Sequence, residues 1–275
     1  MPKTPRKRSQ KAAASASLTA LTQLPHRAGL PSRDSIIGIT TPVGPIGAGK
    51  ATQYRIIHTL EMDEYEKGAT SPTLAAKAAA AALPKGDSFK GKSRKAAKLS
   101  ISKAKIETFA DLQDLIDSLA PEEDMVNHDP KIGKDSTSDR VEEEERNIRV
   151  DAFIYAASVE DDNDYHLILG RDPELTPEIY MTMELSGLPP ASKASHKKLK
   201  AARDAFKKFW KENFDGILPG RAYDFPDPPV PVRIEGSLFF DITHATGTRP
   251  GPKSLKSRMP VIWEVHPISK MRFEP

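Results

Sequence analysis

Residues 147–157 read NIRVDAFIYAA, and the reading of the fold starts there. Ile148, Val150, Ala152 and Ile154 alternate with Arg149, Asp151, Phe153 and Tyr155. That is the two-residue period of a strand with one apolar face. An acidic turn, EDDN (160–163), follows, and then DYHLIL (164–169) and EIYMTMEL (178–185), two further strands. A helix is expected over about 195–214. Leu199, Ala202, Phe206, Phe209 and Trp210 form its apolar stripe, and Gly216 stands where a terminating glycine belongs. After the Pro-rich PDPPVP (226–231), VRIEGSLFF (232–240) gives a fourth strand. VIWEVH (261–266) and ISKMRF (268–273) give a fifth, interrupted at Pro267.

The order β-β-β-α-β-β is that of an OB-like five-stranded barrel, with its helix between strands three and four. The fold class expected is therefore mainly β with helices, a barrel core at about 145–275, and disordered charged N-terminal segments. Gly236 inside strand four marks a bend or bulge. Strands one, two and four are expected as neighbours, with strand five paired to strand one.

Outward from this core the chain changes character. Residues 1–34 read as a disordered basic tail, with seven Lys/Arg and no acid up to Arg33. Residues 35–275 then form one domain with charged insertions. TQYRIIHTLEM (52–62) is a strand that joins the core. Ser71-Pro72 opens an Ala-rich helix that Pro84 stops. Residues 85–105 hold eight Lys/Arg against Asp87 alone and read as a solvated linker. FADLQDLIDSL (109–119) is an amphipathic helix capped by Thr108, and the acidic 121–146 reads as a long loop.

Composition narrows the function. The 275 residues contain no cysteine, which excludes disulfides, thiolate metal sites and a cysteine nucleophile. No run approaches about 20 apolar residues, and the basic N-terminus lacks an apolar stretch, so no membrane partner is expected and the location expected is cytoplasmic. The net charge of +3 conceals segregation. Residues 106–145 carry fourteen acids and three bases.

The runs DNDYHLILGRDP (162–173), VRIEGSLFFDITHATGTRPGP (232–252) and VIWEVHPISKMRF (261–273) carry three motifs: D-x-D-x-H-L, F-F-D-x-x-H and W-E-x-H-P. In these the chain resembles a group of uncharacterised bacterial proteins. The resemblance implies one domain over roughly 145–275 and supplies no reaction.

Four patterns bear on chemistry. Gly44-Pro45-Ile46-Gly47-Ala48-Gly49-Lys50-Ala51 nearly matches a phosphate-binding loop. Ala51 replaces the magnesium-binding hydroxyl, however, and a strand follows where a helix belongs, so a Gly/Pro turn is the better reading. DDNDYH (161–166) lacks the glycine and glutamate of a calcium loop and reads as an exposed acidic turn. Lys197, Lys198, Arg203 and Lys207 on the long helix form a basic face suited to nucleic acid, with Phe153, Tyr155, Tyr165 and Phe239 as stacking candidates. His166, Asp241, His244, Glu264 and His266 form the fourth pattern. Two imidazoles and a carboxylate suit a metal or acid–base chemistry. The same residues turned into the barrel would instead make a buried hydrogen-bond network.

The leading expectation is a non-catalytic binding or interaction protein, for single-stranded nucleic acid, an anionic ligand or a protein partner. The alternative is a metal-dependent hydrolase-type enzyme built on those five residues. No cofactor is implied beyond a divalent metal in that alternative.

Overall fold

The computed structural model describes residues 29–40, 53–63, 82–245 and 249–273. Most of the basic tail, the Gly44–Ala51 loop and the Ala-rich segment up to 81 lie outside them.

The alternation read at 147–157 becomes β4 (Asn147–Val159), which organises the molecule. It pairs antiparallel with β5 (Tyr165–Gly170), β5 with β6 (Tyr180–Leu185), and β6 parallel with β9 (Trp263–Phe273). β9 pairs with β8 (Val230–Phe240), and β8 returns to β4. The result is a closed five-stranded barrel in a mainly β chain. Strand five of the barrel lies between strands three and four, not beside strand one. A parallel pair needs a long crossover, which the helix between strands three and four supplies. Pro267 does not interrupt β9.

The sheet extends beyond the barrel. β1 (Ile36–Thr40), β2 (Arg55–Thr59) and β7 (Asp224–Asp227) form an antiparallel ribbon that reaches β4 through Ala157–Asp224. β3 (Ile106–Phe109) runs parallel to the start of β4. Neither strand is expected from the sequence: β7 runs into the Pro-rich 226–231 segment read as a loop, and β3 ends at Phe109, where the helix was expected to begin. Asp111, not Thr108, caps the helix that follows, α2 (Leu112–Asp117), by accepting from the Gln113 amide. The acidic 121–146 segment contains α3 (Glu122–Val126) and buries Glu144 completely.

Odd and even positions divide cleanly. Leu167, Met183, Leu185, Val265, Leu238 and Phe240 point into the barrel, which holds the main apolar core. α4 (His196–Asn213) seals it with Ala202, Phe206 and Trp210. At Gly236 the β8–β9 register shifts, as the sequence led us to expect. A Cβ there would come 2.6 Å from the Pro267 carbonyl oxygen.

The largest departure from expectation is the Lys-rich 85–105 segment. It is a packed cover, not a linker. It contains α1 (Lys95–Leu99), and Arg94, Ala97, Lys98 and Leu99 are buried. Lys90 donates its amide to the Asp162 carbonyl, and Leu188 donates to Asp87. The Arg94 guanidinium grips both Glu144 carboxylate oxygens at 2.7 Å and lies 4.6 Å over the Phe239 ring. A net-charge count cannot distinguish a cover from a solvated arm, because the acids that neutralise it come from elsewhere in the chain.

Candidate functional site

The polar residues of the barrel strands point outward, under the cover, and not into the barrel. Asp164 and His166 share a strand face by alternation, His166 stands opposite Glu184, and Thr182 stands opposite Glu264. His266 follows two residues after Glu264. One buried polar stripe therefore crosses β5, β6 and β9. It is flanked by Phe239, whose ring centroid lies 5.4 Å from that of His266.

The five sequence candidates do not share one site. His166 belongs to a first group, 2.6 Å from Glu160 and 3.0 Å from Asp63 through Nδ1. Tyr223 donates to the same Asp63 carboxylate at 2.9 Å, and the Gly251 amide donates to its other oxygen. Burial pushes His166 down, but the Asp63 and Glu160 charges outweigh it and raise it well above the ordinary imidazole value. Burial likewise pushes Asp63 up, and His166 brings it below the usual range. The carboxylates of this group are engaged, while His166 Nε2 is buried without a hydrogen-bond partner.

Glu264 and His266 belong to a second group with Asp164 and Glu184. His266 Nδ1 lies 2.9 Å from Glu184 Oε2 and 3.6 Å from Glu264 Oε2, and its Nε2 lies 3.3 Å from Asp164 Oδ2. All four side chains are buried. Burial raises Asp164 to about 7 and Glu264 to about 8, with neighbouring carboxylates adding to both. Burial opposes Glu184 too, but the His266 and Lys98 charges hold it well below the normal range.

Asp241 and His244 form a third, small group, 3.4 Å apart at the turn after β8. Thr243 closes that turn by donating its amide and hydroxyl to Asp241. The three groups influence one another electrostatically through Glu184 and Asp241.

Sequence reading missed Asp63, Glu160, Asp164 and Glu184. Asp164 and Glu160 were assigned to an exposed turn, yet Asp164 is fully buried and accepts the Gly187 amide. The two-residue spacing from His166 was the available signal for Asp164. Glu184 sits in an otherwise apolar strand, and that isolation was its signal.

The basic face of α4 also divides. Arg203 is buried, stacked 4.5 Å over Tyr165 and donating to the carbonyls of Asn163 and Leu185. Lys207 is paired with Asp87. Neither is free to hold a phosphate. Tyr155, Tyr165 and Phe239 are buried, so they offer no stacking platform. Lys197 and Lys198 remain exposed.

Lys198 opens onto a groove of about 1220 Å³ between α1, the 100–106 segment, the start of α4 and the β8–β9 edge. Lys95, Lys103, Lys193 and Lys270 line it too, over a floor that includes Leu99, Ile101 and Ile148. Glu235 is its single acid and is held by Lys270 at 2.8 Å and by Arg149. Among the described residues, Lys95, Lys103, Lys193 and Lys198 make no ion pair. The groove is thus cationic at its rim and largely apolar within.

No family model matches the chain, no curated protein matches it in sequence, and no solved structure matches its fold. Among the described residues no helix is long and apolar enough to cross a membrane.

Proposed function

We propose that this is a binding protein whose lysine-rimmed groove takes an anionic ligand with an apolar body. The observation that carries the reading is the set of four lysines, without an ion pair among the described residues, around one concave, partly apolar surface. Ligand sites are typically concave and mainly apolar, with a few charged groups that orient the ligand. The barrel's connectivity, with its crossover helix and parallel β6–β9 pair, is OB-like, and OB barrels commonly bind polymers or oligosaccharides. That support is analogy alone. None of the residues lining the groove is aromatic. Base stacking therefore has no platform there, and single-stranded nucleic acid is disfavoured against a smaller amphipathic anion. The motif resemblance points to a bacterial setting.

The test is titration with anilinonaphthalene sulfonate, an amphipathic anion, followed by its fluorescence. A labelled single-stranded oligonucleotide is titrated in parallel by anisotropy. Saturable dye binding that weakens in the Lys193→Glu, Lys198→Glu double variant supports the reading. Dye binding unchanged in that variant contradicts it. Tight oligonucleotide binding with no dye binding would return the function to nucleic acid.

A further inference from the structure

We propose that Glu184, Glu264 and the Nδ1 side of His266, with Asp164 on the far ring nitrogen, form a buried site for a divalent transition-metal ion beneath the Lys-rich cover. One ligand atom from each of Asp164, Glu184 and His266 lies within 4.8 Å of the other two. The strands dictate this convergence: β5, β6 and β9 lie side by side, and each contributes from the same outward face. The proposal is independent of the groove, which none of these residues lines.

A second observation separates this group from an ordinary polar network. Asp164 Oδ2, Glu184 Oε2, Glu264 Oε2 and both nitrogens of His266 are buried without an aligned hydrogen-bond partner. The atoms approach to 2.9–3.6 Å without pointing at one another. Donors and acceptors that satisfy each other align. Ligands that share an ion instead aim at a common point between them. The neighbouring Asp63–Glu160–His166 group has ligand atoms equally close together but is better satisfied: its carboxylates are engaged by Tyr223, Gly251 and His166, and one of its atoms, His166 Nε2, lacks a partner. A buried polar atom left unpaired costs about 1–3 kcal/mol, and five in one place call for an occupant.

Lys98, buried on α1, lies 3.5 Å from Asp162 beside this group. Glu184 and Glu264 approach the Nδ1 side of the His266 ring and Asp164 approaches Nε2, so Nδ1 and the two glutamates hold the ion while Nε2–H faces the Asp164 carboxylate, the usual arrangement around metal-bound histidine. An oxygen-rich set with one imidazole suits Mn²⁺ or Zn²⁺ better than Mg²⁺ or Ca²⁺. Full burial makes the site structural, with no open position for a substrate. Lys98 ties α1 to the cluster electrostatically.

The experiment uses the full chain. After dialysis against a chelator, the protein is loaded separately with Zn²⁺, Mn²⁺ and Co²⁺, freed of excess ion, and analysed for metal. About one ion per chain is expected, with a melting temperature that falls on chelation and recovers on reloading. Glu184→Gln should reduce bound metal to background, while Glu160→Gln, in the neighbouring group, should retain it. If Glu184→Gln does not fold, the Co²⁺ visible spectrum of the unaltered chain decides. A ligand-field band that appears to one equivalent supports the site. No retained metal in the unaltered chain, no such band, or equal retention in a folded Glu184→Gln protein overturns it.

Discussion

Glu184 on β6 and His266 on β9 come within 2.9 Å across a parallel strand pair, yet neither atom makes an aligned hydrogen bond. The approach is fixed by register, since Thr182 stands opposite Glu264, and Glu184 and His266 each lie two positions further along. Packing of the cover then removes water from the pair. Cover and barrel are therefore one electrostatic unit, and the predictions below probe its parts.

The Arg94–Glu144 pair is the firmest anchor of the cover. Both side chains are almost completely buried, and Glu144 also accepts the Phe240 and Val141 amides. Removing one member leaves a buried charge without its partner, which costs about 3–5 kcal/mol. Arg94→Ala and Glu144→Ala should each lower the urea midpoint strongly. The double variant should lose clearly less than the sum. Additive losses would show that the pair is not coupled.

Gly236 allows β9 to cross closely over β8. An added methyl group meets the Val265 side chain and lies 2.6 Å from the Pro267 carbonyl oxygen, which belongs to backbone that cannot swing aside. Gly236→Ala should destabilise by about 1–3 kcal/mol, the usual range for overpacking. An unchanged melting temperature would mean the bulge is looser than described.

Much of this arrangement was legible beforehand. The alternation of Ile148, Val150, Ala152 and Ile154 defined β4, and the crossover helix and Gly236 bulge followed from local patterns. Alternation also put Glu264 and His266 on one face. It could not say which face. The buried-network reading alone turned the polar residues inward, and an outer face is ordinarily wet. Only the packing of residues 85–105 shows that this outer face is dry. Arg94 and Lys98 look like linker residues until Glu144, some 50 residues away, and Asp162 are seen beside them. Such pairings carry no local signature, and neither does the Asp63–His166 contact.

The cover should resist protease. Under native conditions, trypsin should leave the bonds after Arg94 and Lys98 intact, because both side chains are buried. Cleavage there should begin only as urea approaches the unfolding midpoint. Early cutting at either bond in native buffer would contradict the packed cover.

His58 provides a pH readout. Its Nδ1 lies 2.7 Å from Asp224 and its Nε2 lies 2.8 Å from the Thr40 hydroxyl. The Asp224 hydrogen bond, opposed by burial, raises its pKa above 6.5. A raised folded value means that the imidazolium stabilises the fold fully below the unfolded value. That contribution fades as pH rises through the folded value. The His58 ring-proton shift should titrate above 6.5, and Asp224→Asn should bring it down. A midpoint at or below 6.5 in the unaltered chain would refute the coupling.

The amphipathic anion is expected to bind in the lysine-rimmed groove, leaving the buried polar stripe to a metal ion. Amide shifts of ¹⁵N-labelled protein during titration with anilinonaphthalene sulfonate test it most directly. The account expects the largest changes at Lys95, Ser100, Lys103, Lys193, Ser195 and Ser269, all on the groove wall, with Asp164, Glu184 and His266 nearly still. Changes centred on those three residues, or none in the groove at saturating dye, would contradict it.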